Sequence, residues 1–184
     1  MKVKKKRKGL NLVALIFFIL VAVLYLINEK YPLKSKSEEP YVSVIKVYDG
    51  DTVSVKVDRK QEKIRLIGID APEMGQEPWG ENAKRYLENL LDSSDWEIRL
   101  EYDIEKRDQY NRLLAYIWTK DNKNVNLLML KSGYAVLYTF PPNVKYVEEF
   151  RVAQKEAREK EIGIWSTEGL KELPQNYRKE HPRF

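Results

Sequence analysis

Eighteen consecutive residues, Leu10 to Ile27, contain one amide, Asn11, and no charge. A run with no polar face cannot form one side of a globular helix, so it must be kept apart from whatever the rest of the chain folds into. As a helix it would measure ~27 Å against a hydrocarbon core of ~30 Å, enough to span a bilayer. Lys2, Lys4, Lys5, Lys6, Arg7 and Lys8 precede it, whereas Lys30, Lys34 and Lys36 beyond it are interspersed with Glu29, Glu38 and Glu39. The positive-inside rule then holds the N-terminus in the cytoplasm and exports the remainder. A cleaved signal peptide shares the charged start and the apolar stretch, but this run ends in Asn28-Glu29-Lys30-Tyr31-Pro32, with no small-x-small site close by. The expectation is a basic cytoplasmic segment over 1–9, a single transmembrane helix over 10–27 and a location in the cell membrane. Secretion after signal cleavage is the alternative.

Residues 28–40 mix Lys, Ser and Glu with Pro32 and Pro40 and have too few apolar groups to pack, so they read as a linker. The net charge of +5 is misleading: residues 1–40 hold nine Lys/Arg and three Asp/Glu, a net +6, and residues 41–184 hold twenty-four and twenty-five, a net −1. Any attraction of the folded part for a polyanion must therefore come from locally placed Arg and Lys. The chain has no cysteine and one histidine, His181. That excludes disulfides, thiolate nucleophiles, Cys- or His-ligated zinc and paired-histidine acid/base chemistry, leaving carboxylates, arginines and tyrosines.

Five β-branched or aromatic-rich runs follow: Tyr41 to Tyr48, Thr52 to Val57, Lys63 to Ile69, Trp96 to Tyr102 and Leu113 to Trp118. Val53, Val55 and Val57 alternate as a half-buried strand does, Leu113 to Trp118 is apolar on both phases, and phase slips near Val44-Ile45 and Leu66-Ile67 predict bulges. Three helices are expected. Ala83, Leu87, Leu90 and Leu91 form one stripe; Asn124 caps a second helix carrying Val125, Leu128 and Met129 up to Gly133; and the third runs from about Val144 to Lys160. Strands first, with helices among and after them, give an α+β class: an OB-type five-stranded β-barrel with three packed helices over 41–167, monomeric, followed by a loosely held polar tail over 168–184.

Asp49-Gly50-Asp51-Thr52 lies between two strands, and Asp70-Ala71-Pro72-Glu73 follows the next one. Each is explicable as an ordinary turn, the first because Asp-Gly supplies a positive φ. Antiparallel neighbours, however, bring the start of one strand and the end of the next to one rim. Converging carboxylates repel unless a cation offsets them, and a hard divalent ion with oxygen ligands is the natural occupant. Arg65 sits in an apolar strand and Arg112 at the entry of the last one. Either can be a structural ion pair; beside a metal–carboxylate cluster the two make a clamp for a phosphoryl group.

The order Val47-Tyr48-Asp49-Gly50-Asp51-Thr52, Ile64-Arg65-Leu66-Ile67-Gly68-Ile69-Asp70-Ala71-Pro72-Glu73, Asp108-Gln109-Tyr110-Asn111-Arg112-Leu113-Leu114-Ala115-Tyr116 and Ile164-Trp165 resembles the staphylococcal nuclease family. The resemblance implies an OB-type barrel, one Ca2+ ion and hydrolysis of DNA and RNA to 3′-phosphates. It makes Asp51 and Asp70 calcium ligands, with the Ala71 carbonyl as a third, and Asp49 a residue behind the ligands. It gives Glu73 the role of orienting or deprotonating the attacking water, Arg65 and Arg112 that of holding the phosphate and stabilising transition-state charge, and Tyr110 and Tyr138 places beside the substrate. Ala71 stands where the best-known member has Thr, and Asn111 where it has Gly. The competing readings are an exported OB-fold module that binds nucleic acid without cutting it, and a calcium-dependent adhesion or scaffold module, which leaves both arginines idle.

Overall fold

The computed structural model describes residues 14–23, 25 and 40–182. The chain divides into two units, Met1–Glu38 and Glu39–Phe184. In the first, residues 14–23 are helical (α1), with Leu15, Phe17, Phe18 and Leu20 among its exposed apolar side chains. Among the described residues no helix is long and apolar enough to cross a membrane. The predicted span of 10–27 runs beyond the described residues at both ends, and the basic segment and nearly all of the linker lie outside them.

In the second unit, β1 (Tyr41–Val47), β2 (Thr52–Val57), β3 (Lys60–Leu66), β5 (Glu97–Glu101) and β6 (Leu113–Trp118) close a barrel in the order β1-β2-β3-β6-β5. Every pairing is antiparallel except β3 with β6, which is parallel. The five predicted runs are thus the five barrel strands. Alternation places Val53, Val55, Ile64, Leu66, Ile98 and Ile117 in the interior, where burial of apolar surface is the main stabilising term. The phase slip at Val44 is a real irregularity, since the β1–β2 register shifts between Val44 and Lys46.

The second slip has a different cause. The predicted strand Lys63 to Ile69 breaks after Leu66, turns at Gly68 with φ +80°, and resumes as β4 (Ile69–Asp70), which leaves the barrel to pair with β7 (Val136–Leu137). A side chain there would strain the backbone and would meet the Phe150 ring, so the corner belongs to glycine. This break turns Asp70 onto the barrel rim.

Helix α2 (Trp79–Asp92) buries Ala83, Leu87 and Leu91 of the predicted stripe, and Leu90 packs against the core partly buried. In α3 (Val125–Lys131) the Asn124 side chain accepts from the Leu127 N–H at 3.0 Å, as expected of its cap. Two positions after the cap, Asn126 is wholly buried: its amide nitrogen donates to the Ile67 carbonyl at 2.8 Å and its oxygen accepts the Ile117 N–H at 3.0 Å. One side chain so ties α3 to the end of β3 and to β6. Helix α4 (Val147–Glu159) buries Phe150, Ala153 and Ala157, and a 3-10 turn, Gly163–Trp165, follows.

The expectation of a loose polar tail is corrected over its second half. Leu173 leads into α5 (Pro174–Glu180), with Pro174 buried and the Gln76 side chain donating to the Glu172 carbonyl at 2.8 Å. Proline at the first helical position and basic residues in the last turn are the local signals for this helix; they lie in a segment whose polarity suggests solvent instead.

Candidate active site

Strand register brings the first groups together. Thr52, at the start of β2, is paired with Arg65, near the end of β3, and the Leu66 N–H donates to the Asp51 carbonyl at 2.9 Å. Asp51 therefore lies beside Arg65 because of the sheet, not because of the sequence between them. Asp51 Oδ2 also accepts the Ala71 N–H at 2.8 Å, which bolts the corner after β1 to the corner after β4. Thr52 Oγ1 donates to Asp51 Oδ1, and the Asp51 N–H donates to Asp49 Oδ1 at 3.1 Å.

Gly50 has another role than the Asp-Gly turn signal assigns it. It is not among the residues of positive φ. A Cβ at this position would lie 2.7 Å from the Ala71 Cβ and 2.8 Å from the Ala83 Cβ, so glycine is required for close approach of the two acidic corners and α2.

Arg65 is the hub. Its Nη1 donates to the carbonyls of Leu66 at 2.7 Å and Ile69 at 2.8 Å, the two sides of the strand break. Its Nη2 lies 3.1 Å from Asp70 Oδ1 and 3.2 Å from Asp51 Oδ2. Two buried carboxylates, with Asp70 only 1% and Asp51 6% exposed, thus face one cationic nitrogen. Burial, and after it the neighbouring Asp51 carboxylate, push Asp49 up to about 6. Burial likewise raises Asp70, with the hydrogen bond from Arg178 and the charge of Arg65 acting in the opposite sense.

Glu73 joins through a residue that sequence reasoning missed. Arg178, on α5, donates from Nη1 to Glu73 Oε1 at 2.8 Å and to Asp70 Oδ1 at 2.9 Å, and from Nη2 to Asp70 Oδ2 at 2.8 Å. The Glu73 N–H is held at 3.0 Å by the Gln76 side chain, itself tied to Glu172. No spacing signal links Arg178 to Asp70, 108 residues away.

The other predicted residues stand apart from this cluster. The Nε of Arg112 is paired with Asp108 at 2.7 Å, and its guanidinium lies 5.5 Å from the Tyr110 ring. Asp108 Oδ1 also accepts the N–H groups of Tyr110 and Arg112, so one aspartate builds the turn. Asn111 has φ +63°, a conformation that asparagine tolerates almost as well as glycine, and the turn is formed with Asn in place of Gly. Parallel pairing of Arg65 with Leu114 puts this turn at the mouth of the strand next to β3. Tyr110 is 72% exposed. The Tyr138 N–H donates to Gly68, and the residue borders a cavity of about 100 Å³ together with Asp70, Arg158 and Pro174.

Among the described residues no group of three or more acidic or histidine side chains is placed to hold a metal ion. The donor chemistry fits a hard cation nonetheless. Asp51 and Asp70 offer only oxygen donors and already converge on a positive nitrogen, and a hard ion that keeps several waters needs few protein ligands.

Residues 63–167 match the family model described as staphylococcal nuclease homologue. A thermonuclease of Staphylococcus intermedius is 37% identical over 171 residues, covering 88% of this chain and 98% of the relative. A thermonuclease of Staphylococcus hyicus is 34% identical over 88% of this chain and 99% of its own length. The endonuclease YncB of Bacillus subtilis is 36% identical over 73% of this chain and 67% of its own length. A family match over more than half of the chain and relatives spanned almost end to end lead to one conclusion: the chain belongs to the staphylococcal nuclease family.

Proposed function

We propose that this chain is a calcium-dependent endonuclease that hydrolyses DNA or RNA to 3′-phosphate products, held outside the membrane by its N-terminal helix. That it is a phosphodiester-hydrolysing nuclease rests on its family and on its thermonuclease and endonuclease relatives. The observation that carries the residue assignment is the meeting of Asp51 and Asp70 at a single nitrogen of Arg65, which brings the two carboxylates close enough to share one cation. The support for the anchor is the apolar run of residues 10–27 with its basic flank.

Asp51, Asp70 and the carbonyl of Ala71 would hold the ion, and Asp49 braces the Asp51 backbone from behind. A calcium ion bound there would supply the charge to neutralise a phosphate oxygen. Glu73, beside Asp70, orients or deprotonates the water that attacks phosphorus. Arg65 keeps Nη1 on the backbone and presents Nη2 to the phosphate. The Asp108 pair fixes the guanidinium plane of Arg112 for a second phosphate contact. Two pre-organised cations aimed at developing charge stabilise the transition state more than the ground state. Tyr110 and Tyr138 border the path of the substrate.

The test is cleavage of DNA and RNA by the full chain, with calcium and with excess chelator, alongside Asp51→Ala. Calcium-dependent cleavage that Asp51→Ala abolishes is expected; full activity in chelator overturns the calcium site. For the anchor, cell fractionation is expected to place the protein with membranes and its catalytic unit within reach of external protease. A soluble mature form beginning near Tyr41 would instead establish a cleaved signal.

A further inference from the structure

Asp70 is capped twice. Arg65 and Arg178 both reach Oδ1, and Arg178 also takes Oδ2, so both oxygens carry guanidinium hydrogens. A cation entering at Asp70 must displace at least one of these contacts, and the two arginines are not equally held. Arg65 projects from a barrel strand, has Nη1 locked on two carbonyls and is 14% exposed. Arg178 is 36% exposed and sits on a helix of seven residues. So short a helix is not stable alone, and α5 persists through its docking contacts. These are buried Pro174, the Gln76 bond to Glu172, the Arg178 ion pairs, and Tyr177, whose hydroxyl stands where a Cβ on Gly75 would be.

We propose that α5 is a strap: the Arg178 guanidinium competes with the divalent cation for Asp70 and Glu73, closes the site when the ion is scarce, and leaves when it binds. The proposal rests on the reading of Asp51 and Asp70 as a calcium site. Its physical basis is that a guanidinium hydrogen-bonded to both carboxylate oxygens and a divalent ion cannot share one aspartate without repulsion at short range. The weaker-held cation yields.

The experiment titrates CaCl2 calorimetrically into the full-length wild type, Arg178→Gln and Tyr177→Ala, and follows amide hydrogen exchange of residues 175–180 with and without calcium. Tyr177→Ala loosens the strap while keeping every charge at the site. Both variants are expected to bind calcium about tenfold or more tightly than wild type, as loss of a competing charge-assisted contact implies. Saturating calcium is expected to deprotect the α5 amides of the wild type. Equal or weaker affinity in both variants overturns the strap and leaves the calcium site standing. Tightening in Arg178→Gln alone reports net charge and overturns it too, as does α5 staying protected at saturation. Absence of calcium binding in all three proteins overturns the calcium site and, with it, the strap.

Discussion

Replacing Arg65 and Arg112 in turn by lysine separates structural from catalytic work, because the two arginines are held differently. The Arg65 fork makes two hydrogen bonds to backbone carbonyls and two ionic contacts, whereas Arg112 pairs through its Nε with Asp108. A lysine ammonium at position 65 can keep its attraction to the carboxylates but cannot also serve both carbonyls. Hydrogen bonds to a charged group contribute about 1.5 kcal/mol or more each, so losing the pair costs about 3 kcal/mol. At roughly 4 °C per kcal/mol for a domain of this size, Arg65→Lys is expected to melt about 10 °C lower than wild type. Arg112→Lys can keep its one part-buried ion pair and should shift the melting temperature by no more than about 2 °C. Turnover is expected to fall ~100-fold or more in both, since a point charge on a flexible stem does not replace a planar fork at the transition state. Calorimetric melting and calcium-dependent cleavage of DNA, measured on the same preparations, read both effects. An unchanged melting temperature in Arg65→Lys would refute the structural half of the argument, and wild-type turnover in either variant would remove that arginine from the mechanism.

Asn126→Ala leaves the Ile117 N–H and the Ile67 carbonyl without their buried partner and is expected to lower stability in urea by about 3 kcal/mol; a loss under ~1 kcal/mol would mean that other groups take over. Glu101 is pushed up by burial, but Lys145 and Tyr146, both bonded to it, overcome this and hold its carboxyl below the ordinary range. Its stabilisation is present above the unfolded-state value and lost as pH falls through the folded one, so Glu101→Gln should be less stable than wild type at pH 7, by about 1–2 kcal/mol, and converge with it below about pH 4. A gap independent of pH would show that the carboxylate charge is not the cause. At Asn111, φ +63° predicts that Asn111→Gly is nearly neutral while Asn111→Ala costs about 1 kcal/mol, a difference read in thermal melts; equal stability of the two would refute the conformational argument.

What the sequence determined by itself is what depends on near neighbours. Runs rich in β-branched and aromatic residues located the five barrel strands, helical spacing located Ala83, Leu87 and Leu91, and Asn124 marked the start of α3, because a strand preference, a helix stripe and a cap are each decided within a few residues. The acidic corners and both arginines could likewise be picked out from local patterns. Their contacts could not. That Arg65 holds Asp51 and Asp70 together follows from the β2–β3 register and from the break at Gly68, which sends Asp70 out of the barrel to pair with β7. Gly50 carried a turn signal yet is required by the approach of Ala71 and Ala83, a close contact between segments with no mark in the local pattern. The C-terminal helix is the extreme case: polar and seven residues long, it has no stability of its own to announce it. It exists because the folded domain offers Pro174 a buried site and Arg178 a pair of carboxylates, and only the tertiary structure brings those within reach.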